Sequence, residues 1–291
     1  MKKYFVTSDL HSYYDEFIGV LDKAGFDISN PDHILIVCGD LFDRGPKTKE
    51  LLEFIKGIPQ DRRVLIRGNH EELFEVLLHK SFPEKHDFSN GTVRTFCALA
   101  DADIDKLDKS YWYKQEIVDN VPKGTYSFRP YEYWREIKEK VYNFKIVEWF
   151  NSKEWVNYFE VYNYIFVHCF IPTPTPYDLY SPTRSKPIYR EDWRNSTQTE
   201  WRDSTWGCPW RLYLEGLFKP EEKKGKTLVC GHWPVNDFHL YLEKHGSLDN
   251  YDIYIGKHLI GLDACTSNTG QINLLVINNE KDVEIYNYKS T

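Results

Sequence analysis

Asp9 and His11 stand two residues apart just beyond the apolar run Lys3 to Thr7. In extended chain after a strand they can point to one side of a sheet and share one ion. The same arrangement recurs along the chain. Ile34 to Cys38 is followed by Gly39, Asp40, Asp43 and Arg44, and Val64 to Ile66 by Asn69 and His70. Tyr164 to Val167 is followed by His168, and Thr227 to Cys230 by Gly231 and His232. Carboxylate oxygen, imidazole nitrogen and amide oxygen form a borderline-to-hard donor set. It suits manganese, iron or zinc better than copper or a thiolate-bound structural zinc. Any one of these residues alone reads as a turn cap or a satisfied polar group. Five apolar runs ending one after another in such groups do not.

Elements of one kind must position them. Short β-rich runs at Lys3 to Thr7, Ile34 to Cys38, Val64 to Ile66, Tyr164 to Val167, Thr227 to Cys230, Leu259 to Leu262 and Ile272 to Ile277 predict strands. Between the first few, Phe17, Val20, Leu21 and Ala24 fall at helical spacing, as do Leu51, Leu52 and Ile55. Alternating strand and helix predicts an α/β sheet with parallel pairs, whose ligand cleft lies beyond the carboxyl ends of the strands. From about 80 to 160 the alternation stops, and charged, aromatic, helical stretches at 131–140 and 144–150 read as an insertion within a single domain spanning 1–291. The stretch 171–210 lacks periodicity and reads as a long functional loop.

Composition narrows the classes. The 291 residues are 41% hydrophobic and 28% charged, which excludes bulk disorder. Lys and Arg number 37 against 44 Asp and Glu, a net of −7, so no overall basic field is available to hold a nucleic-acid backbone. The six cysteines, at 38, 97, 169, 208, 230 and 265, form no CxxC pair and read as reduced, buried thiols. The first residues reach Asp9 before an apolar stretch develops, and no run approaches the roughly 18 apolar residues of a membrane span. A cytoplasmic location without a membrane partner is the resulting expectation.

The motifs Ser8-Asp9-Leu10-His11-Ser12, Gly39-Asp40-Leu41-Phe42-Asp43-Arg44-Gly45, Arg67-Gly68-Asn69-His70-Glu71, Phe166-Val167-His168 and Cys230-Gly231-His232-Trp233 resemble the five motifs of the calcineurin-like metallophosphoesterases. The Asp-Arg-Gly and Asn-His-Glu elements are similar to the phosphoprotein phosphatase (serine/threonine phosphatase) branch, in its bacterial and phage form. Gly261-Leu262-Asp263-Ala264-Cys265 looks like the closing strand motif of those members.

The resemblance implies two facing mixed β-sheets flanked by helices, with a dinuclear site at the strand ends. It implies two divalent ions, manganese first and iron or zinc as options. Asp9 and His11 would hold the first ion, Asp40 would bridge, and Asn69, His168 and His232 would complete the second. His70 would protonate the leaving oxygen, oriented by Asp43, and Arg44 would offer a planar fork to phosphate. A second phosphate-binding arginine is expected from Arg184, Arg190, Arg194, Arg202 or Arg211, with Arg211 favoured. The implied activity is hydrolysis of a phosphomonoester, a phosphorylated protein or small phosphoester, by metal-activated water. The alternatives are a dinucleoside polyphosphate hydrolase on the same site and a phosphate-binding module without turnover. Two departures bear on the substrate and the first metal. Ser8 and Ser12 replace the usual glycines and would narrow the cleft, and Pro234 stands where many distant members carry a second histidine.

Overall fold

The computed structural model describes residues 1–107, 130–173 and 188–289. Its β-strands form two sheets. The first has six strands in the order β11-β10-β1-β2-β3-β4, with β1 Lys3–Thr7, β2 His33–Cys38, β3 Arg63–Ile66, β4 Trp155–Val156, β10 Gln271–Ile277 and β11 Val283–Lys289. β1 to β4 are parallel, and β10 joins β1 antiparallel. The second sheet runs β5-β6-β7-β9-β8, with β5 Phe159–Val161, β6 Tyr164–Phe166, β7 Thr227–Cys230, β8 Tyr254–Ile255 and β9 Leu259–Gly261. Both sheets are mixed, since β6, β7 and β9 are parallel while β5 and β8 pair antiparallel at the edges.

The two-residue period of the strands sorts their side chains between two cores. Tyr4, Val6, Ile34, Ile36 and Cys38 meet Phe166, Val229 and Ile260 of the second sheet, so the sheets face each other. Phe5, Leu35, Val37 and Leu65 point the other way, into a helical layer. That layer contains α1 (Tyr14–Ala24), α2 (Thr48–Gly57) and α3 (Asn69–His79), whose apolar faces bury Phe17, Val20, Leu21, Leu51, Ile55, Phe74 and Leu77. Gly25 ends α1 with φ of 74°, a left-handed cap that glycine accepts without steric cost.

The described residues of the 80–160 stretch do not stand apart from this core. α5 (Thr92–Ala100), α6 (Pro130–Tyr142) and α7 (Ile146–Phe150) follow the short α4 (Lys85–Ser89). Phe96, Trp134, Ile146 and Phe150 are buried in the same cluster as Phe74. β4 and β5, also within this stretch, are edge strands of the two sheets. The expected long loop is likewise built: Gln198–Ser204 forms α8 and Pro209–Leu214 forms α9. Its residues 174–187, which include Arg184, lie outside the described residues. Lys219–Lys223 (α10), Val235–Leu242 (α11) and Thr266–Thr269 (α12) complete the helices named here. Among the described residues, no helix is long and apolar enough to cross a membrane. All six cysteines are free thiols, five of them buried and Cys265 half-buried.

Candidate active site

The loops after β1, β2, β3, β6 and β7 converge, as the strand-end motifs require. The first two run side by side, with Asp9 N–H donating to Gly39 O at 3.1 Å, His11 N–H to Asp40 O at 3.0 Å and Ser12 N–H to Leu41 O at 3.0 Å. Seven residues here hold left-handed backbone: Asp9 (φ 52°), His11 (46°), Ser12 (61°), Asp40 (54°), Asp43 (78°), Arg44 (59°) and His232 (66°). Each costs a non-glycine residue on the order of 1 kcal/mol or more, and such strain gathers at functional sites. Gly39 also holds positive φ, 84°, and a Cβ there would strike His168 Nδ1 at 2.4 Å.

Two groups of donor atoms form, with Asp40 common to both: His11, Asp40 and His70, and Asp40, His168 and His232, with the atoms of each group within 4.8 Å of one another. The two Asp40 oxygens face different ways. Oδ2 lies 3.9 Å from His11 Nε2 and 3.8 Å from His70 Nε2, whereas Oδ1 lies 3.5 Å from His168 Nε2. Asn69 Oδ1 lies 2.8 Å from His168 Nε2, and His232 Nδ1 lies 3.2 Å from it. Asp9 joins through Oδ2, which accepts the His232 N–H at 2.9 Å.

The donor chemistry fits cations. His11 Nδ1 donates to the Phe42 carbonyl at 2.9 Å, which fixes the tautomer and leaves Nε2 a bare lone pair turned towards a carboxylate. His168 repeats the pattern, Nδ1 donating to the Cys38 carbonyl at 2.8 Å, so in the neutral ring Nε2 faces the Asn69 and Asp40 oxygens with no proton between. Burial, followed by the charge of His70 and Arg44, holds His11 well below the ordinary histidine range. Burial, then His168, pushes His232 down to about 3. Asp9 is pushed well up by burial and by the Asp263 and Asp40 carboxylates. Neutral imidazoles among crowded, buried carboxylates form a cluster short of positive charge, which divalent ions would supply.

His70 stands differently. Its Nδ1 lies 2.6 Å from Asp43 Oδ2. Burial works against its charged form, but the Asp40 and Asp43 carboxylates outweigh that and raise its pKa. The exposed Arg44 reaches it, Nη2 lying 3.3 Å from His70 Nε2. Asp43 is buried and also accepts hydrogen bonds from Thr92 Oγ1 at 2.8 Å and Thr95 Oγ1 at 2.7 Å. Both threonines lie on α5, so a helix of the 80–160 stretch holds the His70 partner in place.

The sequence reading assigns no role to three further residues. Glu71 is buried and accepts the N–H groups of Asp40 (3.2 Å), Leu41 (3.0 Å) and Gly68 (2.7 Å), tying the loops after β2 and β3 together. Asp263, in the motif after β9, is buried and pushed up to about 6 by burial, with Asp40 adding to the effect. Trp206 is 45% exposed, with its ring centroid 6.4 Å from that of His232. One expectation changes. Ser8 and Ser12 are buried, and the Ser12 hydroxyl pairs with Thr48 Oγ1 at 3.0 Å, so they do not narrow an open cleft. Arg211 sits on α9 with Nε 3.6 Å from Glu215, the residue that caps that helix, and Arg202 Nε lies 3.2 Å from Glu72, two residues beyond His70. Arg190 pairs with Asp192 and Glu200, and Arg194 with Glu160 and Glu221.

The family model for calcineurin-like phosphoesterases matches residues 2–259. The chain belongs to that family. Members use divalent metal ions, in keeping with the His and Asp cluster. Among curated relatives, the chain is 35% identical over 116 residues to the asymmetrical bis(5'-nucleosyl)-tetraphosphatase PrpE of Bacillus velezensis, covering 37% of this chain and 46% of that protein. It is 30% identical over 139 residues to a symmetrical bis(5'-nucleosyl)-tetraphosphatase of Buchnera aphidicola, covering 46% of each. The phosphoesterase chain thus spans less than half the length of these relatives. A solved serine/threonine phosphatase of Saccharomyces cerevisiae has 12% identity and a TM-score of 0.49, covering 100% of this chain and 80% of that one.

Proposed function

We propose that the protein hydrolyses dinucleoside polyphosphates, splitting a phosphoanhydride with water at the Asp40-centred cluster. The observation that carries this reading is the match, at 30% and 35% identity, to two relatives named as bis(5'-nucleosyl)-tetraphosphatases. The strand-end motifs alone put a phosphorylated protein first, and neither of these relatives is named a protein phosphatase.

In this reading Asp9, His11, Asp40, Asn69, His168 and His232 hold two divalent cations, with Asp40 shared because its two oxygens face the two donor groups. The ions would polarise the phosphoryl group and lower the pKa of a water to about 7. Arg44, exposed at the rim, sets its planar fork on phosphoryl oxygens and orients the chain for in-line attack. A new P–O bond forms from water as the anhydride P–O bond breaks. His70, raised in pKa and steered by Asp43, gives its proton to the departing phosphate oxygen. The cysteines take no part, because no covalent phosphoenzyme is needed.

The test compares diadenosine tetraphosphate, a phosphoserine peptide and p-nitrophenyl phosphate in the presence of manganese. The expected result is a kcat/KM for the dinucleotide at least tenfold above that for the phosphopeptide. The reverse order would favour the protein-phosphatase reading, and no hydrolysis of any would favour a binding module.

A further inference from the structure

A cleft of about 410 Å³ opens beside the cation-binding cluster, within the range of small-molecule sites. Gly68 borders both. It lines the cleft, and a Cβ there would sit 2.3 Å from Asp40 Oδ1. Glu72 lines the cleft from α3 and accepts the Trp206 Nε1–H at 3.3 Å. That bond ties the exposed indole to a wall of the cleft, with its ring 6.4 Å from that of His232.

The charge of the cleft discriminates among ligands. Its two arginines are both taken by carboxylates: Arg67 pairs with Glu75 at 2.5 Å, and Arg202 with Glu72 at 3.2 Å. Two cations and two anions cancel, so the lining does not select a phosphate. It offers neutral groups instead, notably the Asn157 and Gln198 amides, whose Nδ2 and Oε1 lie 3.4 Å apart, and the Thr199 and Thr205 hydroxyls. Amides that donate and accept, beside an aromatic face, match the edges and rings of a nucleobase.

We propose that this cleft receives the base and ribose of the departing nucleotide, with the exposed face of Trp206 as the stacking surface. The assignment rests on the dinucleoside polyphosphate reading for its catalytic meaning, but binding tests it separately.

Calorimetric titration of the 291-residue protein with adenosine, a neutral probe, supplies that measurement. Wild-type protein should bind it. Trp206→Ala should weaken binding about tenfold, the size expected of a base-stacking aromatic, while Trp206→Phe keeps most of it. The double variant Asn157→Ala/Gln198→Ala should weaken binding likewise. Turnover of diadenosine tetraphosphate should fall more in these variants than that of p-nitrophenyl phosphate, which has no nucleoside to place. Absence of adenosine binding in the wild type, unchanged binding in the variants, or an equal fall in p-nitrophenyl phosphate turnover would each overturn the subsite. Adenosine bound in the cleft without hydrolysis of diadenosine tetraphosphate would leave the subsite standing and sink the catalytic reading.

Discussion

His70→Asn should leave bound metal nearly intact and slow hydrolysis of an alkyl phosphate by roughly 10²–10⁴-fold, the usual contribution of a positioned general acid. The side chain is placed for that role. Its Nδ1 is committed to Asp43, and the two nearest carboxylates raise its pKa, which favours the protonated form. The size of the effect should follow the leaving group. A serine alkoxide needs the proton badly, whereas p-nitrophenolate or a nucleotide phosphate leaves with less help. Phosphopeptide hydrolysis should therefore suffer more than that of p-nitrophenyl phosphate or diadenosine tetraphosphate. Asp43→Asn should show the same ordering more weakly. So should Thr95→Val, which removes a hydroxyl that donates to Asp43 Oδ1 and accepts the Asp43 N–H at 3.0 Å. Loss of metal in His70→Asn, or an equal loss on all substrates, would make His70 a ligand or a structural residue. The grouping of His70 with His11 and Asp40 makes the metal measurement decisive.

Asp40→Asn should cost the protein both metal and activity. Asp40 belongs to both donor groups, so one lost negative charge weakens two sites together. A bound ion contributes several kcal/mol to the stabilisation of a phosphoryl transition state, and each 1.36 kcal/mol is tenfold in rate, so turnover should fall on the order of 10³-fold. The fold should survive. Asparagine keeps an oxygen that can accept the His70 N–H, a bond of 3.0 Å to Asp40 Oδ1. Elemental analysis beside circular dichroism reads both consequences, and a folded variant with undiminished metal and turnover would remove Asp40 from the centre.

Much of this site was legible because its groups follow strands directly. Asp9, Asp40, Asn69, His168 and His232 each come within three residues of a strand end, so strand position and donor chemistry appear in one short stretch. Thr92 and Thr95 were not legible. They lie 49 and 52 residues from Asp43 on a helix whose sequence reads as ordinary, and only folding brings their hydroxyls to the carboxylate. Asp263 belongs to a recognisable motif, but no partner pattern in the sequence marks it as part of the site. Among the elements, β11 escaped because its residues are mostly half-exposed and show no clean alternation. α8 escaped because seven residues are too few to display helical periodicity. Its start did leave a signal, since the Thr197 hydroxyl caps the Glu200 N–H and the Glu200 carboxylate takes the Thr197 N–H.

The most direct test of the central claim is hydrolysis of diadenosine tetraphosphate by the wild-type protein with manganese in ¹⁸O-labelled water, with the products read by mass spectrometry. The account predicts two nucleotide products, ADP with ADP or ATP with AMP, and one ¹⁸O atom per cleavage in the terminal phosphate of one product. Intact dinucleotide in a sample that still dephosphorylates a phosphoserine peptide would contradict it.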